Sequence, residues 1–328
     1  MQAITVTDMH TGGEPVRIVT SGWPEVDGRT ILEKRAFARA HHDNLRKMLM
    51  FEPRGHFDMY GVLMVAPTLP GADIAVLFMH NEGWSTMCGH AVIAMGRYAV
   101  ETGLVAAREP MTRVGVECPC GLVLADVEVK GGKAGAVSFE SVTAFASVLD
   151  LAVDVPGFGS ITCDVAYGGA FYALADCAQF GLEFGKNRVR DFVDAATALS
   201  DAVRKAHRLD HPESRDLEFL YGSILTDGGD GKAAPTKNVC VFADAEVDRS
   251  PTGSGVTARL AAMAARGQAL PGEHHVFESI TGANFTGAVE RLVPGGVTVR
   301  VGGQAFHTGK AEFVRETDDP LGGGFLVR

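Results

Sequence analysis

Cys88 is the residue whose surroundings most favour chemistry. It stands in Met87-Cys88-Gly89-His90, before an apolar stretch that ends at Gly103 and has the pattern of a buried helix with a glycine stop. The N–H groups of a first helical turn lack intrahelical acceptors and carry the positive end of the helix dipole. A thiol there ionises below its usual pKa of roughly 8.5. We therefore predict a reactive thiolate at Cys88, with the backbone amides of Gly89 and His90 as binding groups.

Each of these residues also has a purely structural interpretation. A buried cysteine is most often a small inert hydrophobe. The polar loop 81–86 favours the reactive alternative, because we expect it to open to solvent before Cys88. The His90 side chain either holds the thiolate or a substrate group, or is an ordinary structural histidine.

A second stretch, from Asp248 to Gly255, has the same character. In the functional interpretation Asp248 accepts a hydrogen bond from a substrate ammonium, while the Gly253 and Ser254 amides hold a carboxylate. The structural alternative is that Asp248 braces the loop. Thr252 is either an ordinary N-cap, the role that helix geometry favours, or a polar group facing Cys88.

The two stretches predict an internal duplication. Aligning Cys88 with Thr252 matches Gly103 with Gly267. Further matches follow in the same order along the chain: residues 8–13 with 164–169, 77–78 with 241–242, and 117–121 with 278–282. Duplicated halves related by a pseudo-twofold axis would bring the two helix starts together at one active site.

The predicted fold class is α/β (α+β), with two similar domains that each wrap strands around a central helix. The first domain covers 1–150 with its central helix at 88–103, and the second covers 151–306 with its central helix at 252–267. The boundary is placed near 147–156. Two further helices are predicted, at 30–49 from a Thr-x-x-Glu capping box and at 187–207.

Composition limits the partners. The chain has 328 residues, 46% hydrophobic, and a net charge of -10, and it contains no run of Lys or Arg. Nucleic acid and anionic membranes are therefore not expected as partners. The first residues alternate like a strand rather than a leader, no apolar run approaches a membrane span, and six scattered cysteines suggest reduced thiols. We expect a cytoplasmic protein that acts on a small molecule.

Other chemistries lack their motifs. Cys118-Pro119-Cys120 has no second pair at zinc spacing, so no metal site is expected. Phosphate-binding glycine loops and the Gly-x-Ser-x-Gly elbow of hydrolases do not occur. Thiol chemistry without a cofactor remains.

Four segments together resemble the proline racemase family. They are DMHTGGEP from Asp8, EPRGH from Glu52, MCGH from Met87 and DRSPTGSG from Asp248. The resemblance covers essentially the whole chain. It implies two halves of the diaminopimelate epimerase type with the active site between them, no cofactor, a C-terminal segment 307–328 that returns to the first half, and a homodimer.

The resemblance also predicts the reaction. Racemases and epimerases of the family carry a cysteine at both helix starts, whereas this chain has Cys88 and Thr252. That pair resembles the family's trans-3-hydroxy-L-proline dehydratases, and it implies that Cys88 removes the α-proton of an imino acid substrate to give Δ1-pyrroline-2-carboxylate and water.

Three alternatives stay open from the sequence. An epimerase of 4-hydroxyproline or a proline racemase would need an unconventional second base. A redox-active thiol protein would also place a cysteine at a helix start. A non-catalytic protein would bind the carboxylate without exchanging the α-proton.

Overall fold

The structure is a computed structural model that describes residues 2–327. It divides the chain into two compact units. The first unit is Met1–Ser138 together with Gln304–Arg328, and the second is Phe139–Gly303. Within the described residues, no helix is long and apolar enough to cross a membrane.

The strands, in chain order, are β1 Gln2–Thr11, β2 Glu14–Ser21, β3 Tyr60–Val65, β4 Ile74–His80, β5 Trp84–Ser85, β6 Met111–Cys118, β7 Gly121–Lys130, β8 Lys133–Glu140, β9 Phe145–Val155, β10 Gly159–Tyr167, β11 Phe171–Asp176, β12 Leu220–Thr226, β13 Thr236–Phe242, β14 Glu246–Asp248, β15 His274–Glu278, β16 Asn284–Val293, β17 Gly296–Gly303 and β18 Ala305–Arg315. The α-helices are α1 Ile31–His41, α2 Asp43–Met50, α3 Gly89–Glu101, α4 Val189–Ala206 and α5 Gly253–Ala265, and two short 3₁₀ helices are Cys177–Phe180 and Arg215–Leu217.

The strand pairings of the first unit recur in the second. In the first, β1 and β2 are antiparallel, β2 and β3 parallel, β3 and β4 antiparallel, and β4 pairs antiparallel with β5 and parallel with β6. In the second, β10 to β15 repeat these pairings in the same order and sense. The predicted mixed α/β fold with two similar halves is therefore confirmed.

The connections repeat as well. Parallel neighbours need a crossover connection, and α1 with α2 joins β2 to β3 as α4 joins β11 to β12. The parallel pairs β4/β6 and β13/β15 are spanned by α3 and α5 respectively. The C-terminal strand β18 pairs antiparallel with β1 in the first unit.

The central helices α3 and α5 have 13 residues each and are buried almost all round. A surface helix shows one apolar stripe, whereas a helix apolar on all sides belongs in a core. Both end at a glycine with positive φ, Gly103 at 75° and Gly267 at 71°. This is the left-handed C-cap conformation that glycine adopts without steric cost, as the sequence predicted.

Two boundaries differ from the predictions. The helix predicted at 30–49 is broken at His42 into α1 and α2, although Thr30 does cap α1 by accepting from Glu33 N. The domain boundary predicted near 147–156 falls inside β9, which pairs with β10 in the second unit. Pro156 and Gly157 mark the turn of that hairpin, and the units divide earlier, between 138 and 139.

Candidate active site

Cys88 is the N-cap residue of α3. Its backbone is extended, with φ -149° and ψ 104°, and its carbonyl accepts the first helical hydrogen bond from Val92 N at 3.0 Å. The side chain makes no capping hydrogen bond, so the sulfur takes no part in closing the helix. Because Cys88 is only 5% exposed, the thiol experiences the positive end of the helix dipole with little screening by water.

The His90 ring lies against the Cys88 sulfur. Nδ1 is 3.0 Å from Sγ and Nε2 is 3.6 Å away, and His90 is 3% exposed. An imidazole that carries a proton on Nδ1 donates to a thiolate at this distance, and such charge-assisted hydrogen bonds are the strong ones. The geometry therefore suits a histidine that stabilises the ionised sulfur.

Two neighbours fix the position of His90, and Ser85 holds one of them. The Thr11 hydroxyl donates to the His90 carbonyl at 2.9 Å. The Tyr60 ring meets the imidazole edge-on, with centroids 4.9 Å apart, and the Tyr60 hydroxyl forms a short hydrogen bond with Ser85 Oγ. The segment that begins at Asp8 thus acts through Thr11 on the start of α3.

Most of the loop before Cys88 is buried, and the prediction that 81–86 opens to solvent is wrong except near Glu82, which is exposed. Asn81, Ser85 and Thr86 are at most 2% exposed. Two arginines hold its backbone, since Arg46 donates to the carbonyls of residues 80 and 81 and Arg35 to that of residue 84. These guanidinium groups satisfy carbonyls that a buried loop would otherwise leave unpaired.

The remaining thiols differ from Cys88 in their surroundings. Burial raises the pKa of Cys163 to about 12 and that of Cys177 to about 11. Burial, followed by contact with Cys120, holds the pKa of Cys118 well above its usual range. None of the six cysteines forms a disulfide. Cys88 combines a helix start with an imidazole partner.

Thr252 begins α5 as Cys88 begins α3, but its backbone is strained. Its φ is 64° and its ψ is 92°, and a β-branched residue at positive φ is an outlier that costs on the order of 1–3 kcal/mol. The Thr252 hydroxyl donates to Asp248 Oδ2 at 2.8 Å, and its N–H donates to Ser250 Oγ at 3.0 Å. These hydrogen bonds hold the strained conformation.

Thr252 occupies the N-cap position of α5, as one of the two predicted alternatives required, but it is not an ordinary side-chain cap. Its side chain makes no capping hydrogen bond, because its hydroxyl points back along the loop to Asp248. Asp248 also accepts from Ser250 N at 2.7 Å, so this carboxylate braces the loop, as the structural alternative required. A carboxylate has about four acceptor positions, and these two hydrogen bonds leave capacity for a ligand ammonium.

Gly253 and Ser254 form the first turn of α5. Ser254 Oγ is hydrogen-bonded to the Tyr172 hydroxyl at 2.7 Å, and both residues are buried. A Cβ on Gly168 would lie 2.2 Å from the Ser254 carbonyl oxygen, so only glycine lets this turn approach the helix start. Gly168 thus packs on α5.

Sequence reasoning missed several supporting residues. Tyr60, Ser85 and Tyr172 come from strands with ordinary apolar patterns, and nothing in their spacing marks them. Ser250 was detectable, because an Asp that accepts from the N–H two residues later is a common turn. Asn238, which donates to the Pro251 carbonyl, gives no sequence signal.

Comparison with known proteins identifies the family. The model for "Proline racemase" matches residues 6–326. The chain belongs to the proline racemase family. Its duplicated halves and its paired helix starts can now be compared with relatives of that family.

Three relatives are informative. A protein from Xenopus tropicalis named trans-L-3-hydroxyproline dehydratase is 54% identical over 332 residues, which cover 99% of this chain and 95% of the relative. A protein from Burkholderia multivorans named 3-hydroxyproline 2-epimerase is 44% identical, with coverage of 100% and 99%. The crystal structure of a hydroxyproline epimerase from Agrobacterium vitis with bound trans-4-hydroxy-L-proline has a TM-score of 0.94 and 27% identity, and the match covers 100% of this chain and 95% of that one.

Proposed function

We propose that this protein dehydrates trans-3-hydroxy-L-proline to Δ1-pyrroline-2-carboxylate and water, with Cys88 as the carbon base. The observation that carries the proposal is the asymmetry of the helix starts. Cys88 has an imidazole at 3.0 Å, whereas the equivalent Thr252 has a hydroxyl that is already bonded to Asp248. A relative with the dehydratase name at 54% identity supports the same assignment.

The substrate's stereochemistry suits one catalytic residue. In trans-3-hydroxy-L-proline the hydroxyl is trans to the carboxylate, so it lies on the same ring face as the α-hydrogen. Elimination then needs a base on that face only. Racemisation also needs a proton donor on the opposite face, and a threonine hydroxyl is too weak an acid to protonate carbon readily.

The proton is transferred through the sulfur. The N–H of the His90 ring stabilises the Cys88 thiolate before the reaction. The thiolate then takes the α-proton, and the negative charge passes from the sulfur to the substrate. The resulting thiol, or a water held beside it, returns a proton to the departing 3-hydroxyl, and water leaves. The enamine product then tautomerises to the cyclic imine.

The first-turn amides of both helices supply the electrostatic stabilisation. Removing the α-proton places negative charge on the carboxylate, which becomes enolate-like. Backbone N–H donors from Gly89, His90, Gly253 and Ser254 are suited to that charge, and one such donor can contribute about 3 kcal/mol to the barrier reduction. A base and these donors are sufficient for the reaction, so the proposal includes no cofactor.

Asp248 is assigned to the ring nitrogen. Its two remaining acceptor positions fit the ammonium of an imino acid, and its bonds to Ser250 and Thr252 fix the carboxylate in one orientation. Thr252 thereby acts on the substrate through Asp248.

A thiolate base functions only while Cys88 stays reduced, which favours a reducing compartment such as the cytoplasm. A homodimer is the assembly that the family resemblance implies.

Proton NMR of the purified protein in D2O tests this function. Trans-3-hydroxy-L-proline, trans-4-hydroxy-L-proline and L-proline are incubated separately. The proposal predicts conversion of the first to pyrroline-2-carboxylate and unchanged configuration in the other two. Inversion of the other two without elimination would reject it.

The runner-up is 2-epimerisation, which the name of the Burkholderia multivorans relative favours. It requires a second proton donor opposite Cys88. In the NMR experiment, an epimer of trans-3-hydroxy-L-proline with deuterium at the α-carbon would appear instead of the pyrroline.

A further inference from the structure

A buried polar chain runs from the middle of α5 to the loop that carries Asp248 and Thr252. Asn238 Nδ2 donates to the Pro251 carbonyl at 3.1 Å. Arg259 Nη1 in turn donates to Asn238 Oδ1 at 3.1 Å. Asn238 is completely buried, so its amide orientation is fixed by these two partners. Because Pro251 immediately precedes the strained residue Thr252, these hydrogen bonds hold the backbone next to Thr252 directly.

Arg259 is an unusual occupant of a central helix. It is 5% exposed, and its hydrogen bonds go to neutral oxygens: those of Asn238, Gly229 and Thr236. Its guanidinium lies 4.9 Å from the centre of the Phe277 ring, and burial lowers its pKa to about 10. Burying a charge is costly, and the nearby Asp227 carboxylate offsets only part of that cost, since the pKa of Arg259 stays below its usual value.

The equivalent positions of the first unit carry apolar residues in place of this buried polar pair. In the alignment of Cys88 with Thr252, Met95 takes the place of Arg259, and the strand pairings put Val76 at the position of Asn238; both are buried. The helix start differs in the same way, since Cys88 has an ordinary extended backbone and Thr252 has positive φ. The polar pair therefore occurs in the half whose helix start needs to be held in a strained conformation.

We propose that Asn238 and Arg259 are positioning residues for the loop 248–252. The inference rests on the proposed function, in which Asp248 holds the ring nitrogen and the Gly253 amide holds the carboxylate. Asn238 fixes the Pro251 carbonyl, and Arg259 fixes the Asn238 amide. Without them the strain at Thr252 is relieved by rotation of its backbone, which moves both substrate-binding groups out of register.

Asn238→Asp separates positioning from folding. The new carboxylate keeps an acceptor for Arg259 and gains an ion pair with it, but it has no hydrogen to donate to Pro251. We expect the melting temperature to be retained and kcat to fall about 10- to 100-fold, since small misplacements of catalytic groups have effects of that size. The KM for trans-3-hydroxy-L-proline should change less than kcat, because the substitution misaligns the groups that bind the substrate without removing any of them.

Arg266→Met is the matched control. Arg266 follows α5 directly and pairs at the surface with Asp150 and Asp164, so its removal deletes an arginine near the same helix without touching the loop. Arg259→Met, which introduces the first unit's residue, should lower kcat at least fivefold more than Arg266→Met does. Equal kcat values in Asn238→Asp, Arg259→Met and the wild type would overturn the proposal.

The cavity beside Arg259 allows chemical rescue. Arg259 lines a cavity of about 730 Å³ that includes Leu174, Thr226 and Arg266. In Arg259→Ala, ethylguanidinium chloride at non-denaturing concentration can enter from this cavity and donate to Asn238. We expect several-fold recovery of kcat with ethylguanidinium and none with ethylammonium. Equal recovery with both, or with neither in a folded variant, contradicts the assignment.

Hydrogen–deuterium exchange gives a readout that does not depend on turnover. The peptide covering 249–254 should exchange faster in Asn238→Asp and Arg259→Met than in the wild type or Arg266→Met. Unchanged exchange in both variants rejects the positioning role. If exchange rises while the wild type proves inactive on trans-3-hydroxy-L-proline, the proposed function is wrong and the loop assignment stands.

Discussion

The two helix starts show how one scaffold supports two different roles. Cys88 and Thr252 occupy equivalent positions at the first turn of equally long, equally buried helices. Cys88 has a relaxed backbone and a sulfur in contact with His90, whereas Thr252 has a strained backbone and a hydroxyl bonded to Asp248. The duplication therefore supplied two similar helix starts, and the proposed function gives proton transfer to the first and substrate binding to the second.

Replacement of Cys88 should have the largest effect. A serine hydroxyl cannot act as the carbon base, so Cys88→Ser should lower kcat by roughly 1,000-fold or more, within the range known for removal of a general base or nucleophile. Steady-state assay of pyrroline formation measures this. Cys177→Ser is the control, because its thiol donates to the Leu182 carbonyl at 3.3 Å and packs in the core of the second unit. A similar loss there would reject the assignment to Cys88.

The second comparison is between Cys88 and the other thiols. Since the thiolate is the reactive form, Cys163 and Cys177, with pKa values raised to about 12 and about 11, should resist alkylation near neutral pH. Cys88 should react faster than either, because the helix N-terminus and the His90 ring favour its thiolate. Mass spectrometry after brief treatment with iodoacetamide measures the order in which the thiols are alkylated. Faster labelling of Cys163 or Cys177 in the folded protein would contradict it.

Making the two helix starts more alike is the third test. Thr252→Cys places a thiol at the second start, and we expect α-carbon inversion of trans-4-hydroxy-L-proline to become detectable. Dehydration should fall about fivefold, because Asp248 loses a hydrogen bond of about 1 kcal/mol. Polarimetry and pyrroline assay follow the two activities. Thr252→Val is the control, which should lose dehydration similarly and gain no inversion.

The sequence predicted much of the fold because the fold depends on patterns that repeat. Apolar stretches closed by Gly103 and Gly267 located both central helices, and the ordered matches between the halves indicated the duplication. The hairpin turn at Pro156 and Gly157 was mistaken for a linker, since the same residues favour both. Only the pairing of the flanking strands distinguishes a hairpin turn from a linker between domains.

The candidate site was less predictable for a physical reason. Helix starts follow from local sequence, so Cys88, Gly89, Thr252 and Gly253 were placed where they occur. The orientation of the Thr252 hydroxyl was not predicted. The positive φ of that residue results from hydrogen bonds to Asp248 and Ser250, which helix propensities do not describe. The contact of Tyr60 with His90 likewise arises from packing between distant segments.

The smallest expected effect concerns stability in a turn of the second unit. Burial would raise the pKa of Asp227, but hydrogen bonds from Thr236 and from the Lys237 and Gly229 amides hold it below the usual range. A lowered carboxyl pKa stabilises the fold above the unfolded pKa of about 3.9, and this stabilisation is lost as the pH falls through the folded pKa. Asp227→Asn should therefore reduce stability by about 1 kcal/mol near neutral pH, after allowance for solvent screening.

Urea unfolding of Asp227→Asn and the wild type checks this. The difference in unfolding free energy should shrink as the pH falls below about 4. Asp244→Asn serves as the reference for a carboxylate outside this turn. If the difference in unfolding free energy between wild type and Asp227→Asn grew on acidification, the assignment of a lowered pKa to Asp227 would be contradicted.

The central claim is that only the Cys88 side of the pair exchanges protons with the α-carbon. Proton NMR of trans-3-hydroxy-L-proline in D2O, stopped at half conversion, tests it most directly. The account predicts pyrroline-2-carboxylate together with remaining substrate of unchanged configuration. Accumulation of the α-carbon epimer alongside the product would show a second working proton donor and would contradict the account.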